Sequence, residues 1–320
     1  MRTETRERVR RAVEQMRYAP HGAARSLITR RTSTIGVILP DIYGEFFSEV
    51  IRGIDIAGRK SGYHILVTGS HSDRAESEAI LRALRGRVDG MIVMSPDVDG
   101  ESLKTNLPAS LPVVLLNTDV RNGKWAALDI DNREGAAAMI RHFAALGHGR
   151  IAVITGPPRN HDARERLEGA RSAIRQLSLD DSPELEIEGD FSQESGYRAG
   201  RRVLELSPRP TAVFAANDSM AIGCLSALRS GGVQIPHDVA LGGFDDIPTA
   251  RFLTPPLTTV RVAGAPLGER AMLKLLGVLI GRSGRPRRER LPTTLVVRGS
   301  SGPEPIPAEG HRLNGRRMEG

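Results

Sequence analysis

The chain contains a single cysteine, Cys224, among its 320 residues, so it cannot form an internal disulfide. This composition is typical of a protein in a reducing compartment, and we expect a cytoplasmic location. Cys224 lies in the apolar stretch MAIGCLSAL, whose helical spacing predicts an inert core position rather than a nucleophile. No apolar run approaches the roughly 18 residues that a membrane span needs, and the N-terminus lacks the apolar core of a secretory signal. We therefore expect neither a membrane partner nor export.

Signatures of enzyme and cofactor sites are missing as well. The sequence contains no HExxH, no paired CxxC motifs and no GxSxG. The first predicted βα turn reads LPDIYGEFF, without the glycine fingerprint of dinucleotide-binding proteins. The stretch GIDIAGRKS, residues 53–61, differs by one extra arginine from a phosphate-binding loop, but it lies inside a predicted helix. The sequence thus predicts no cofactor, and we expect the protein not to be an enzyme.

Positive charge is concentrated near the N-terminus. Residues 1–31 hold nine arginines and three glutamates, which is nearly the whole of the formal net charge of +7. A localised basic segment is the usual footprint of a protein that binds the phosphate backbone of nucleic acid. A solvated charged helix is the alternative, because the apolar positions of residues 4–17 also predict an amphipathic helix.

From Thr34 onward, short apolar runs alternate with amphipathic segments, which predicts parallel sheets with helices on both faces. The number of strands favours two similar domains, and the alternation of strands and helices starts again near residues 131–132. A polar, proline- and glycine-rich tail at 302–320 is expected to be disordered. Besides the first strand, which ends at Leu39, strands are predicted at 64–68, 89–94, 112–116, 126–130, 150–155, 184–188, 211–215, 238–243 and 294–297. Helices are predicted at 73–86, 132–146, 163–177, 193–206, 218–230 and 264–280, and a basic loop at 281–290.

Polar and aromatic residues follow many of these strands. Because ligands bind at the carboxyl ends of strands in such sheets, this set indicates a site for a small polyhydroxylated or heterocyclic ligand. For each residue alone, capping of the next helix is the better interpretation, and capping is also commoner than a metal pair for Asp129 and Asp131. The set comprises Asp41, Phe46, Phe47, Asp131, Asn160, Asp162, Arg166, Phe191, Asn217, Asp218, Asp245 and Asp246.

Several stretches together resemble the LacI/GalR family of bacterial transcription repressors. They are ETRERVRRAVEQMRYAPHGAARSL, TIGVILPDIYGEFFSEVIRGI, RVDGMIVM, DIDNREG, HFAALGHGRIAVITGPP, ARERLEGA, TAVFAANDSMAIGCLSAL, IPHDVALGGFDD and PPLTTV. The resemblance implies a helical hinge segment followed by two doubly wound α/β domains of periplasmic-binding-protein type I architecture. It also implies a homodimer or tetramer in which a small effector, a sugar or sugar derivative more often than a nucleoside, binds between the two domains and changes the affinity for operator DNA.

The resemblance assigns roles by position. The hinge matches His21–Ile28, with DNA contacts at Ala24, Arg25, Leu27 and Ile28, and Leu27 matches a leucine that wedges into the minor groove. The domains match residues 33–131 with 263–290, and 132–262 with 291–301, after an N-terminal segment 1–32. The ligand contacts match Phe46, Phe47, Asp131, Asn160, Asp162, Arg166, Phe191, Asn217 and Asp245.

One departure concerns the DNA-binding headpiece. The family begins with three helices, and the start of this chain matches the third, so we expect the first two helices to be missing. A late start codon and a real truncation are both compatible with the sequence.

The sequence therefore predicts a ligand-responsive transcriptional repressor. Two other classes remain open. A sugar-binding protein without a DNA role would fit the missing headpiece, whereas an enzyme of sugar metabolism is disfavoured because no acid–base pair is evident.

Overall fold

The computed structural model describes residues 31–302, except 72, 96–98, 119, 121–123 and 282–287, together with residues 5, 7, 8, 11, 12 and 15. These N-terminal residues are helical, in agreement with the helix predicted over 4–17. The predicted hinge, with Ala24, Arg25, Leu27 and Ile28, lies outside the described residues. The predicted tail also lies outside them, apart from residue 302.

The chain divides into two compact units that it enters alternately. Unit 1 comprises Met1–Asp129 and Gly264–Arg290, and unit 2 comprises Ile130–Ala263 and Leu291–Gly320. In chain order, the elements are β1 (Thr34–Leu39), α1 (Glu45–Lys60), β2 (His64–Gly69), α2 (Arg74–Ala83), β3 (Gly90–Val93), α3 (Gly100–Asn106), β4 (Val113–Leu116), β5 (Ala126–Ile130), α4 (Asn132–Ala145), β6 (Ile151–Ile154), α5 (His161–Gln176), β7 (Glu186–Ile187), α6 (Gln193–Glu205), β8 (Ala212–Ala215), α7 (Asp218–Ser230), β9 (Ala240–Asp245), β10 (Thr258–Arg261), α8 (Gly264–Leu279), β11 (Arg288–Leu291) and β12 (Thr294–Val296). Short 3-10 helices lie at Pro183–Leu185, Pro248–Phe252 and Gly299–Ser301.

Unit 1 contains a six-stranded sheet in the order β11-β5-β4-β3-β1-β2, and the pairs from β5 to β2 are parallel. The apolar run of β1 is buried, as expected for a strand covered on both faces. In α1, Val50, Ile54 and Ala57 are buried at helical spacing, and the helix packs against α8.

Unit 2 contains a second six-stranded sheet in the order β12-β10-β9-β8-β6-β7. All neighbouring pairs from β10 to β7 are parallel, and β12 pairs antiparallel with β10. The strands β6, β8 and β9 are buried along their whole length. The predicted α/β class with two mainly parallel sheets is confirmed, and the carboxyl ends of β6, β8 and β9 meet at one edge of this sheet.

Two predictions of local structure were wrong. The basic loop predicted at 281–290 ends in the strand β11, where Arg288 makes an ion pair with Asp129 at 3.1 Å and Glu289 makes one with Arg270 at 2.6 Å. Ion pairs rather than apolar burial hold this edge strand, so hydrophobic periodicity gave no signal. The strand predicted at 184–188 is reduced to Glu186–Ile187, because a 3-10 helix occupies the preceding residues.

Neither α3 nor β10 was predicted from the sequence. The helix α3 has only seven residues and depends on a cap, since the Asp99 carboxylate accepts a hydrogen bond from the Ser102 N–H at 2.7 Å.

Among the residues that the structure describes, no helix combines the length and the apolar composition that crossing a bilayer requires.

Candidate functional site

The predicted ligand residues are divided between the units. Phe46 and Phe47 begin α1 in unit 1, where both are half-buried and their rings meet edge to face at 5.5 Å. In unit 2, loops at one edge of the sheet carry most of the others, and Arg166 lies on α5. After β6 come Asn160 and Asp162, after β7 Phe191, after β8 Asn217, and at the end of β9 Asp245. Asp131 follows β5 of the other sheet and precedes α4.

Arg166 is the centre of the polar contacts in unit 2. It is 4% exposed, although an arginine is rarely buried without partners. Its Nε donates to Oδ1 of Asn132 at 2.9 Å, and its Nη1 donates to the carbonyl of Ala216 at 2.6 Å. Nη2 lies 3.1 Å from Oδ1 of Asp245. These contacts fix the plane of the guanidinium group before any ligand arrives.

Two aromatic rings flank the same guanidinium group. Its Cζ atom lies 3.8 Å from the centroid of the Phe244 ring and 5.9 Å from that of Phe191. A cation held over an aromatic face in a desolvated site contributes on the order of 2 kcal/mol. Phe244 directly precedes Asp245 in β9, and it was not among the predicted site residues. Its role is evident only from its contact with Arg166.

Asp245 combines burial with an unusual backbone. Its φ is 111°, in the region that side-chain-bearing residues rarely adopt. Burial raises the pKa of Asp245 to about 6; the positive charge of Arg166 opposes this shift, and the nearby carboxylate of Asp162 adds to it. Oδ1 is ion-paired with Arg166, yet it accepts no well-directed hydrogen bond from the described residues. This buried oxygen therefore has hydrogen-bonding capacity that the described residues leave unused.

Asn132 links two of the predicted ligand residues. It is 2% exposed, and its Nδ2 donates to Oδ1 of Asp162 at 2.8 Å while its Oδ1 accepts from Arg166. The contacts run in series from Asp162 through Asn132 and Arg166 to Asp245, and we call these four residues the polar array. Sequence reasoning selected Asp131 at this strand end and missed its neighbour, although the pair of polar residues in DIDN was the available signal.

Three of the predicted ligand residues also cap helices. The Asp131 side chain accepts from the Glu134 N–H at 3.5 Å, Asn160 from Ala163 at 3.1 Å, and Asn217 from Met220 at 2.9 Å. The capping interpretation of these side chains is confirmed. Asn217 additionally donates to the carbonyl of Phe191 at 3.0 Å, so it connects two loops at the edge of the sheet.

Phe191 supplies an apolar surface beside the polar array. Its φ is 72°, and its ring packs onto Gly156 so closely that a Cβ at Gly156 would lie 2.4 Å from the ring. Glycine is therefore required at position 156, two residues after β6, for the ring to lie there. A half-buried ring next to hydrogen-bonding groups is the pairing that sugar rings and bases need.

The two remaining candidates for chemistry in the sequence are a reactive thiol and a metal site. Cys224 is buried in α7 and burial raises its pKa to about 12, so the prediction of an inert core thiol is confirmed. Within the described parts of the chain, no group of three or more His, Cys, Asp or Glu side chains could hold a metal ion.

Comparison with known proteins places this geometry in a family. Residues 140–301 match the family model described as a periplasmic binding protein-like domain. The HTH-type transcriptional repressor CytR of Escherichia coli (strain K12) is 33% identical over 301 residues, covering 93% of this chain and 87% of the relative. The ribose operon repressor of the same strain is 34% identical over 301 residues, covering 92% and 90%.

A solved structure agrees with these sequence matches. The lac repressor dimer bound to operator and the anti-inducer ONPF matches with a TM-score of 0.84 and 26% identity, covering 94% of this chain and 91% of that chain. The chain therefore belongs to the LacI/GalR family of bacterial transcriptional regulators.

Proposed function

We propose that this protein is a ligand-responsive transcriptional repressor whose effector is an uncharged sugar or sugar derivative. The observation that carries the proposal is the polar array, in which a buried arginine is held by Asp245 and by Asn132, and Asn132 in turn donates to Asp162. The relatives named as transcriptional repressors and the operator-bound structure support the DNA-binding part.

The chemistry of the array favours hydroxyl groups. Asp162 and Asp245 are hydrogen-bond acceptors for ligand hydroxyls, and Phe191 offers a face for the apolar side of a sugar ring. The array holds two carboxylates and one guanidinium group, so it disfavours a phosphate or carboxylate on the ligand at this point. We propose Asn160, Asn217 and Asp131 as further contacts beside their capping roles, and Phe46 and Phe47 as contacts from unit 1. A nucleoside remains the second candidate, because a base can stack on a phenylalanine ring.

We further propose binding without chemical turnover. Arg166 is held by three protein groups, which suits orientation of a ligand rather than proton transfer. Effector binding would change the affinity for operator DNA with a coupling free energy of about 1–3 kcal/mol. A DNA-binding regulator of this kind acts in the cytoplasm, and Ala24, Arg25, Leu27 and Ile28 remain its proposed DNA contacts.

Self-association is part of the proposal. In unit 1, large apolar side chains are exposed on α1, on the edge strand β2 and on and after α8, and these elements pack together. They are Ile56 at 42%, Leu66 at 43%, Leu273 at 56% and Ile280 at 59% exposure. Exposed apolar side chains grouped on adjoining elements mark interaction surfaces, and the lac repressor match is a dimer. We propose a homodimer through this face, with a tetramer as the higher assembly.

A thermal-shift screen followed by calorimetry tests the effector. D-ribose, other pentoses and hexoses, cellobiose and common nucleosides form the panel, and ribose 5-phosphate is the matched charged control. A ligand at 100 times its Kd stabilises the protein by about 2.7 kcal/mol. We expect an uncharged sugar to bind and its phosphate ester to bind more weakly. Tighter binding of the phosphate would contradict the charge argument.

A second experiment separates the repressor from the other classes. Gel shifts on the promoter nearest the coding region, with and without the effector, report the coupling to DNA. An effector that binds without altering DNA affinity favours a sugar-binding protein with no DNA role. Conversion of the bound sugar to a new product, followed by mass spectrometry, favours an enzyme.

A further inference from the structure

Asp218 is a completely buried carboxyl group that the polar array does not include. It is the first residue of α7, directly after the cap Asn217, and its exposure is 0%. Burial raises the pKa of Asp218 well above its usual range, and the charge of Asp245 adds to this shift. Burying a carboxyl group costs several kcal/mol unless it is hydrogen-bonded, so its contacts need an explanation.

Each oxygen of Asp218 holds a different part of the sheet edge. Oδ2 accepts from the Ile247 N–H at 2.9 Å, and Oδ1 accepts from the Thr259 hydroxyl at 2.5 Å. Gly243 of β9 leaves the room for this, since a Cβ there would lie 2.2 Å from Oδ1. Asp218 therefore connects the start of α7, the turn after β9 and the strand β10.

The turn that Asp218 holds is strained. Asp245 and Asp246 are consecutive residues with φ of 111° and 55°, a backbone conformation that is unfavourable for residues with a side chain. It persists only where the surroundings hold it. The Ile247 N–H bonded to Asp218 lies directly after the strained pair, and the Asp246 N–H points to the Thr259 hydroxyl at 3.4 Å.

The other contacts of the turn hold Asp246 rather than Asp245. The carboxylate of Asp246 accepts from Arg261 and from Arg298, both at 2.6 Å. The backbone carbonyl of Asp245 accepts from the Val262 N–H at 3.2 Å, while its side chain is ion-paired with Arg166. The hydrogen bond from the Ile247 N–H to Asp218 restrains the backbone directly after Asp245 and Asp246.

We infer that Asp218 is a positioning residue for the effector site, which holds the strained turn so that the Asp245 carboxylate faces Arg166. The inference rests on the proposed function, because it assigns to Asp218 a part of the affinity for the effector. Each oxygen of Asp218 accepts one hydrogen bond, whereas an asparagine at this position keeps one acceptor oxygen and presents an amide N–H in place of the other, so it reproduces only one of the two contacts as they stand.

The first test uses Asp218→Asn, Thr259→Val and Thr259→Ser, with D-ribose as the calorimetric probe. We expect Asp218→Asn and Thr259→Val to weaken binding by about 10- to 100-fold, since each leaves a buried donor or acceptor unpaired. Thr259→Ser keeps the hydroxyl, so its affinity should stay within about threefold of the wild type. Ser301→Ala is the matched control, because it removes another buried hydroxyl of unit 2, bonded to His142 and Thr258.

A readout specific to positioning is the coupling with Asp245. In an Asp245→Asn background, Asp218→Asn should weaken binding by less than about twofold, because its effect acts through the carboxylate already removed. Equal losses in both backgrounds, or an equal loss in Ser301→Ala, would show general destabilisation and overturn the inference.

Ligand-free crystal structures of the wild type, Asp218→Asn and Thr259→Val give an answer that does not need an effector. We expect the Asp245 φ to leave the positive region and Nη2 of Arg166 to lose its contact with Asp245 in both variants. An unchanged turn in either variant overturns the inference. If the wild type binds no sugar, the proposed function fails while these structures still decide the role of Asp218; if Asp218→Asn does not fold, Thr259→Val carries both tests.

Discussion

The guanidinium group of Arg166 lies 3.8 Å from the centroid of the Phe244 ring, and both side chains are buried. The predicted ligand-binding arginine is thus also part of the core of unit 2. Its removal would affect stability as well as binding, because Asp245, Asn132 and the Ala216 carbonyl would all lose a donor.

Arg166→Ala should therefore abolish effector binding and lower the free energy of unfolding by about 3–5 kcal/mol, since a buried carboxylate is left without its cation. Urea denaturation and calorimetry measure the two effects. Arg164→Ala is the matched control: Arg164 lies on the same helix, is exposed, and donates to the carbonyls of Pro158 and Arg159. Wild-type stability in Arg166→Ala would contradict the central role of this side chain.

The hydrogen bond between Asn132 and Asp162 can be tested by a second substitution that restores the stability lost in a first one. Asn132→Asp alone places two carboxylates 2.8 Å apart, the distance of the present hydrogen bond, and should cost about 1–3 kcal/mol of stability. Adding Asp162→Asn reverses the donor and the acceptor, and Arg166 still finds an acceptor at position 132. The double variant should recover most of the stability lost in Asn132→Asp, measured by urea denaturation, and failure to recover would show that the two side chains do not pair.

Much of the fold could be predicted because it depends on local patterns. The spacing of apolar residues in the sequence predicts the strand β1 and the helix α1, as it does most elements of unit 2. The strand β11 and the helix α3 could not be found this way, because ion pairs and a single cap stabilise them. The site shows the same limit: the position of Asp245 at a strand end was predictable, whereas the roles of Asn132, Phe244 and Asp218 depend on partners distant in sequence.

Effector binding should depend on pH through Asp245. Its folded pKa is raised from 3.8 to about 6, so the carboxyl binds a proton more readily when folded than when unfolded. Its contribution to stability is thus fully present below pH 3.8 and is lost as pH rises through about 6. A ligand hydroxyl that donates to this group binds the ionised form more tightly than the protonated form, so the Kd should rise as the pH falls below about 6, by up to about tenfold per pH unit. Calorimetry between pH 5 and 8 measures this, and Asp245→Asn should remove the step; an identical profile in that variant would assign the titration elsewhere.

The proposed dimer gives a prediction that is independent of the effector. Leu273 on α8 is 56% exposed, and we expect it to be buried when two copies associate through unit 1. Sedimentation equilibrium at micromolar concentration should give about twice the chain mass of 34.7 kDa for the wild type. Leu273→Glu should give the mass of a single chain, because a carboxylate would be buried at the interface without a partner.

Leu177→Glu is the control for this variant, because Leu177 is also exposed, at 42%, but belongs to unit 2 at the end of α5. It should sediment like the wild type. A wild-type monomer would remove the dimer from the proposal. A dimer that Leu273→Glu leaves intact would place the interface on another surface, and a monomeric Leu177→Glu would direct the search to unit 2.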